Sequence, residues 1–312
     1  MPQGSSMGTA EAVILTIITA STPLLLVALG ELVVERSGVL NLGVEGMMIM
    51  GAVSGFGATY VTGEPLLGLA AAILAGMAMA ALFGILTLVL VANQVATGLA
   101  LTLLGLGLSG LLGDPIAGKA GVKIQPVDIP VLSDIPFVGR IVFGQDPLVY
   151  FAVALTVAVS WFLFHTRGGL VVRAVGDNHT SAHALGYSVV RVRFLAVLFG
   201  GACAGLGGAY LSLVYTTQWL ENMTAGRGWI ALALVVFATW LPYRLAIGAL
   251  LFGAVGILQL HAQALGIGVP SQFLSSLPYL TTIVVLVLIS GNRALMRSNT
   301  PACLGQSFVP DR

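Results

Sequence analysis

The stretch Gly30-Glu-Leu-Val-Val-Glu-Arg-Ser-Gly-Val-Leu-Asn-Leu-Gly-Val-Glu-Gly-Met-Met-Ile-Met-Gly51 places three carboxylates, an arginine and an asparagine in an otherwise apolar run. Charged residues make up only 8% of the whole sequence, so this concentration is unusual. A polar group in hydrocarbon costs several kcal/mol unless it has a partner or faces water. We therefore predict that this stretch lines a path through a membrane.

The first three charged residues of the stretch, Glu31, Glu35 and Arg36, allow two interpretations. They either belong to the path or sit in the headgroup region between two membrane helices. The sequence does not choose between the two.

Asn41 and Glu45 are four residues apart and would share one helical face with Met48. Glycines at positions 38, 43, 46 and 51 weaken that helix. Broken helices at membrane depth are tolerated where they line a cavity or are buried in protein. The candidate residues of the translocation path are Asn41, Glu45, Met48 and Glu31.

Composition defines the class. The 312 residues are 57% hydrophobic with a mean hydropathy of +1.00, and several apolar runs reach the roughly 20 residues that cross a bilayer. We predict an all-α polytopic membrane protein, one transmembrane domain over residues 1–312. It should be a bundle of about 9–10 transmembrane helices with a broken or re-entrant segment near residues 38–60. The 13 basic residues are scattered, which gives no support for nucleic-acid binding.

The cysteines and the N-terminus carry little further signal. Cys203 falls in an apolar run and Cys303 in the polar tail, so we expect both to stay reduced. The first ten residues lack a basic region, and the apolar run after them is long for a signal peptide. We expect the first membrane helix to be retained.

Arginines predict the orientation, because basic residues accumulate in cytoplasmic loops. They cluster in residues 167–193, at Arg244, and at Arg293 and Arg297, and the spacing puts these groups on one face. We predict a cytoplasmic loop at 167–193, a cytoplasmic tail at 294–312 and an external loop at 113–147. Nine full spans put the N-terminus outside; a segment after Gly38 that dips in and returns puts it inside.

Small residues indicate close helix packing in two places. Gly201 and Gly205 form a GxxxG pair in a glycine-rich run. A second stripe recurs every four residues, at Ala72, Gly76, Ala80 and Gly84.

The cytoplasmic loop contains a predicted short helix with both ends specified. Asp177 or Asn178 can cap its N-terminus, and Gly186 suits a left-handed C-terminal position. Ala182 and Leu185 would offer one small apolar face. Such a helix either docks into another protein or rests on lipid headgroups.

Two patterns in the loops resemble known functional sites, but each lacks a residue that the site needs. Residues 113–120 nearly spell a phosphate-binding loop, but Ala120 stands where a magnesium-binding hydroxyl is needed. His179 and His183 have the spacing of a metal pair but no third ligand, so we predict surface histidines and no metal site. His261, alone in a late span, is typical of a packing residue.

Two stretches together resemble signature regions of a known family. They are residues 38–48, Gly-Val-Leu-Asn-Leu-Gly-Val-Glu-Gly-Met-Met, and residues 173–186, Arg-Ala-Val-Gly-Asp-Asn-His-Thr-Ser-Ala-His-Ala-Leu-Gly. Both are similar to the ABC-importer permeases of the branched-chain amino acid and simple-sugar superfamily, the first particularly to the nucleoside-type branch. The resemblance covers residues 31–293, including the 133–139 and 143–147 patches. Asp177, His179 and Tyr187 depart from the usual glutamate, proline and isoleucine.

The resemblance implies a multi-pass inner-membrane transport subunit that is not itself an enzyme and binds no cofactor. Its partners would be a second related permease, cytoplasmic ATPase subunits that use ATP and magnesium, and an extracytoplasmic substrate-binding protein. It further implies a coupling helix that sits in a cleft of the ATPase. The residues implied in that contact are Gly176, Asp177, Asn178, Ala182, Leu185 and Gly186.

The solute implied is small and polar, with nucleosides ahead of simple sugars and amino acids. One alternative is an ion-coupled secondary transporter that titrates Glu45. Another is a membrane-embedded enzyme, which would need clustered catalytic groups beyond the two histidines of one loop.

Overall fold

The computed structural model describes residues 9–127, 138–264, 270–290 and 299–309, and every regular element in them is helical. The helices are α1 (Thr9–Arg36), α2 (Val44–Thr62), α3 (Pro65–Gly84), α4 (Gln94–Gly113), α5 (Val138–Phe143), α6 (Pro147–His165), α7 (Arg167–Asp177), α8 (His179–Ala184), α9 (Val189–Tyr210), α10 (Arg227–Phe237), α11 (Pro242–Ala264) and α12 (Ser271–Ser290). Single π-turns, Ile85–Val89 and Leu211–Tyr215, extend α3 and α9, and a short 3₁₀ turn follows α4. The predicted all-α class is confirmed.

Within the described residues, six helices are long and apolar enough to cross a membrane. They are Glu11–Arg36, Pro65–Val89, Gln94–Ile116, Pro147–His165, Val189–Tyr215 and Pro242–Gln263. Adding α2, α10 and α12 to these six gives nine helices in the described part of the chain, which is within the predicted range of about nine to ten. Two of these, α10 and the apolar part of α12, are shorter than a full span.

The chain breaks between α1 and α2, inside the stretch that the sequence singled out. Gly38 has a φ of +89°, a conformation that favours glycine, and residues 37–43 leave helical geometry. Gly38 N–H donates to the carbonyl of Glu35 at 2.8 Å, which closes the turn after α1. The predicted broken segment is thus present, and it is confined to residues 37–43.

α2 is the central helix of the bundle, packed against α3, α4 and α9. Glycines allow the helix backbones to approach closely. A Cβ atom added at Gly46 would lie 2.8 Å from the Cα of Thr102 in α4, and one added at Gly51 would clash with Gly205 of α9. The two predicted small-residue motifs pack on each other, since a Cβ at Gly76 would strike the carbonyl of Gly201.

The second irregular segment runs from the end of α9 to the start of α10. It begins at the end of the bundle that holds residues 114–121, where Gly121 N–H donates to the carbonyl of Thr217 at 3.1 Å. Trp219 then packs on Gly113, and a Cβ at Gly110 would lie 3.9 Å from Glu221. The segment therefore descends along α4 into the bundle. From the sequence, Glu221 and Arg227 are expected in an external loop after the glycine-rich run, whereas the structure places Glu221 beside α4.

The end of the bundle that carries Arg36, Arg173, Arg193 and Arg244 is called the basic end here. Arg36 and Arg173 both lie over the ring of Phe164, at 5.8 and 5.2 Å from its centroid. Arg36 donates to the carbonyl of Trp240. In the same turn, the Thr239 hydroxyl accepts a hydrogen bond from Arg244. The arginine groups at 167–193 and at 244 thus share one end, and α1 starts at the opposite end. Arg293, Arg297 and the 133–137 patch lie outside the described residues.

Candidate translocation site and coupling surface

Asn41 lies in the break between α1 and α2 and is fully buried. Its Nδ2 donates to Glu31 Oε1 at 3.2 Å, and its Oδ1 accepts from Gly43 N–H at 3.0 Å. Because α2 begins at Val44, Asn41 precedes the helix that the spacing with Glu45 assumed. The amide instead holds the broken backbone against α1.

The other path candidates are buried with it. Met48 has no exposed surface and Glu45 has 2%. Glu31 is also fully buried, and its second oxygen, Oε2, has no hydrogen-bond partner among the described residues. The same holds for Nε2 of Gln94, whose Oε1 accepts from Leu40 N–H at 2.9 Å. Two unpartnered polar atoms thus lie beside the break.

Glu45 joins the break to the second irregular segment. Its Oε1 accepts from Thr224 Oγ1 at 2.5 Å and from Gly226 N–H at 2.8 Å, and its Oε2 accepts from Gly228 N–H at 2.6 Å. Gly226 and Gly228 form the first turn of α10, so the carboxylate caps that helix from another element. An anion at a helix N-terminus satisfies free N–H groups and complements the helix dipole.

α10 runs from Glu45 to the basic end. Its 11 residues cover about 16 Å, and Trp240 just beyond it donates from Nε1 to Glu35 Oε2 at 2.7 Å. Glu35 and Arg36 are 1% and 5% exposed. The headgroup interpretation does not fit these two residues, because both side chains bind protein groups inside the bundle.

Residues that the sequence did not single out complete this region. Thr224, Gly226 and Gly228 hold Glu45, and the only sequence signal was the pair of glycines around Arg227. On the outer side of the same segment, Glu221 and Asn222 are exposed and Trp229 is 45% exposed. These polar and aromatic side chains are exposed on the surface of the single chain, and Glu221 lies beside α4.

A further contact ties two spans at the end opposite the basic end. Asp146 caps α6 by accepting from the N–H groups of Leu148 and Val149, and it accepts from the Tyr210 hydroxyl of α9 at 2.8 Å. Burial raises the pKa of Asp146 above its ordinary value. This patch, residues 143–147, is one of those that carried the family resemblance.

The short helix predicted between residues 177 and 186 is present as α8. Asn178, rather than Asp177, caps it, with Oδ1 accepting from Ser181 N–H at 2.9 Å. Gly186 has the expected left-handed backbone, with φ +90°. Ala182 is 3% exposed whereas Leu185 is 78% exposed. The two therefore do not form one exposed face: Ala182 packs inward and Leu185 points away from the protein.

α7 connects this helix to the break after α1. Gly176 packs directly on the carbonyl of Arg36, and a Cβ there would lie 3.2 Å from Gly38 N. His179 and His183 pack their rings on Phe308, each at 5.3 Å between centroids. No group of three or more metal-ligating side chains occurs in the described residues. The histidines are packing residues in this arrangement.

Comparison with known proteins agrees with this architecture. The family described as "Branched-chain amino acid transport system / permease component" matches residues 13–290. The match covers most of the chain, including both irregular segments and α8. The protein belongs to this family of transport permease components, and it is a multi-pass membrane protein.

Three relatives align along nearly their whole length. A putative glucose ABC transporter permease of Haloferax volcanii is 41% identical over 93% of this chain and 95% of its own. The guanosine ABC transporter permease NupQ of Bacillus subtilis is 33% identical over 95% and 97%. The nucleoside ABC transporter permease NupC of Lactococcus lactis is 32% identical over 91% and 94%. No solved structure matches the chain.

Proposed function

We propose that this chain is the transmembrane subunit of an ATP-driven importer and forms part of the path for a nucleoside. The family match over residues 13–290 carries the proposal that it is an importer subunit. Two of the three relatives are named for nucleoside or guanosine transport, which favours that solute class, with a sugar second.

The path runs beside the break at residues 37–43 and includes Glu31 and Asn41. The unpartnered oxygen of Glu31 and the unpartnered amide of Gln94 support this position. Buried polar atoms are nearly always hydrogen-bonded, so water or solute reaches these two. Glu45 and Met48 shape the same region from α2, and Glu45 fixes the start of α10.

The other wall of the path is a second, related permease chain. Glu221 and Asn222 are exposed beside α4, well inside the end of a candidate membrane helix. A carboxylate at this depth is costly against lipid and faces either water or protein. A second permease placed against this face would keep both side chains out of hydrocarbon.

The coupling surface faces the cytoplasm at the basic end. Gly176, Asp177 and Asn178 lead into α8, and Leu185 and Gly186 leave it. Exposed Leu185 supplies the apolar contact for an ATPase cleft, whereas buried Ala182 fixes the helix to the permease. ATP and magnesium are bound by the ATPase partner, because the near match at residues 113–120 lacks the hydroxyl that the chemistry needs.

Co-purification tests the coupling surface. We would express the chain with its neighbouring genes, purify it by a tag, and assay ATP hydrolysis for Leu185→Asp and for Val122→Asp. The two side chains are 78% and 44% exposed, but Val122 lies at the opposite end of the bundle and outside the candidate membrane helices. We expect the Leu185→Asp variant to lose the ATPase and the control variant to keep it. Equal retention of the ATPase by both variants would argue against docking at α8.

Uptake measurements test the solute class. The extracytoplasmic binding protein delivers solute to the end opposite the basic end, so the complete system is needed. Competition of labelled guanosine uptake by other nucleosides, but not by glucose or leucine, is the expected result. Uptake of labelled glucose without uptake of labelled guanosine would move the assignment to a sugar.

An ion-coupled transporter that titrates Glu45 is the alternative function. The carboxylate accepts three hydrogen bonds, two of them from backbone N–H groups. These contacts hold the side chain in place at the start of α10, which favours a structural role for Glu45 over that of an ion carrier.

A further inference from the structure

The tail after α12 returns to the basic end and touches two separate parts of the protein. Cys303 N–H donates to the carbonyl of Gly176 at 2.9 Å, and Gly305 N–H donates to the carbonyl of Gly38 at 3.1 Å. Gly176 precedes α8, and Gly38 lies in the break after α1. Two tail residues, Cys303 and Gly305, thus bridge the loop that carries α8 and the broken segment.

Two buried arginines extend this bridge. Arg36 donates from Nη1 to the carbonyl of Asn299 at 3.0 Å. Arg193 donates from Nε to Ser37 and from Nη1 to Gln306, at 3.0 and 2.8 Å. Arg193 is fully buried, so these backbone carbonyls hold a guanidinium that has no access to bulk water. Charged hydrogen bonds of this kind are the strong ones, and losing one leaves a costly buried donor.

Phe308 closes the bridge on α8. Its ring contacts His179 and His183 and packs on the small apolar cluster of Val175, Ala182 and Val189. It also borders a cavity of about 230 Å³ beside the end of α8. The tail therefore covers the inner side of α8 and reaches the face that we assign to the ATPase.

We propose that residues 299–309 form a coupling strap, which fixes α8 to the Ser37–Gly38 turn so that movement of the ATPase reaches the broken segment. The inference rests on the proposed function, because it needs an ATPase docked on α8. Without the strap, α8 connects to the break through the contact of Gly176 with Arg36 and through Arg193, which lies beside His179 and binds the carbonyl of Ser37. With the strap, its hydrogen bonds to Gly176 and to Gly38 hold the α8 loop, the tail and the turn together as one unit.

The test uses point variants of the full chain in the assembled importer. Phe308→Ala removes the ring that covers α8, and Gly305→Val places a β-branched residue at φ +74°. The matched controls are Val309→Ala, an exposed neighbour, and Gly118→Val, at φ +69° in the opposite end of the bundle. Cys303 reports on the strap through maleimide labelling, and buried Cys203 reports on global unfolding.

We expect the double variant Gly305→Val, Phe308→Ala to keep its ATPase and its ATP hydrolysis while solute transported per ATP falls about tenfold. Labelling of Cys303 should rise severalfold, with Cys203 unlabelled, and the control pair should match the unmodified importer. Unchanged transport per ATP in the double variant overturns the proposal, whether Cys303 becomes reactive or not. If the unmodified chain carries no ATPase, the proposed function fails instead.

Discussion

At the scale of single residues, Glu45 is the side chain that fixes the start of α10 to α2. Replacing it with glutamine keeps its size but turns an NH₂ group toward N–H donors. We expect Glu45→Gln to lower the free energy of unfolding by about 3 kcal/mol, measured as thermal exposure of buried Cys203 to a thiol dye.

The matched control is Glu64→Gln. Glu64 is exposed at the N-cap of α3 and makes no side-chain cap bond. Its variant should unfold like the unmodified protein. Equal unfolding midpoints for the two variants would show that the bonds of Glu45 contribute nothing to stability.

His179 gives the strap a pH dependence. Burial, and then the nearby Arg193 guanidinium, lower the pKa of His179 below its ordinary 6.5, and the Arg193 Nη2 lies 3.3 Å from its Nδ1. The folded protein favours the neutral ring, so this contribution to stability is complete above pH 6.5 and is lost as pH falls through the lowered pKa. His183 and Cys303 are the other titratable groups at this contact.

We expect Cys303 labelling to rise, relative to a His179→Asn variant, as pH falls from about 7.5 to about 5.5. The ratio to the variant removes the pH dependence of the thiol itself. His183→Asn, which leaves the His179 contact with Arg193 in place, is the control and should follow the unmodified protein. A ratio that does not change with pH would contradict the argument.

Sequence reasoning located the polar residues better than it assigned their contacts. Asn41 and Glu45 stand out because polar groups are rare in this chain, and Gly186 because a helix end favours glycine. Their partners are far away in sequence: Glu45 binds Thr224 and the first turn of α10. Nothing in a local pattern predicts such a contact, because only the packing of α2 against α10 brings the residues together.

At the scale of elements, α3 and α9 meet through small residues. A methyl group at Gly76 would strike the carbonyl of Gly201, whereas one at Gly107 meets nothing within 4 Å. We expect Gly76→Ala to lower stability by about 1–3 kcal/mol. Gly107→Ala should gain about 0.5–1 kcal/mol, because alanine loses less backbone entropy in a helix. Thermal unfolding in detergent measures both, and a stable Gly76→Ala variant would contradict the close packing.

Element boundaries were predictable where periodicity or caps mark them, and this explains the one displaced segment. The capped helix α8 and the break after α1 follow from local residues. Residues 216–226 contain Glu221 and Asn222 and read as an exposed loop, yet they descend beside α4. Their position depends on Trp219 against Gly113 and on Glu45, both of which are distant contacts.

At the scale of the whole molecule, the proposed function makes the chain an incomplete transporter. α8 is followed by exposed Leu185, and Glu221 and Asn222 are exposed beside α4. Under the proposal, the first surface binds an ATPase and the second binds another permease. The chain on its own should therefore not move solute.

Uptake into proteoliposomes is the most direct test of that claim. The purified assembly, with its binding protein, should accumulate labelled guanosine only when ATP and magnesium reach the ATPase side, and a proton or sodium gradient alone should drive none. The chain reconstituted by itself should be inactive under both conditions. Uptake by the isolated chain on an ion gradient, abolished by Glu45→Gln, would contradict the account and make Glu45 a coupling carboxylate.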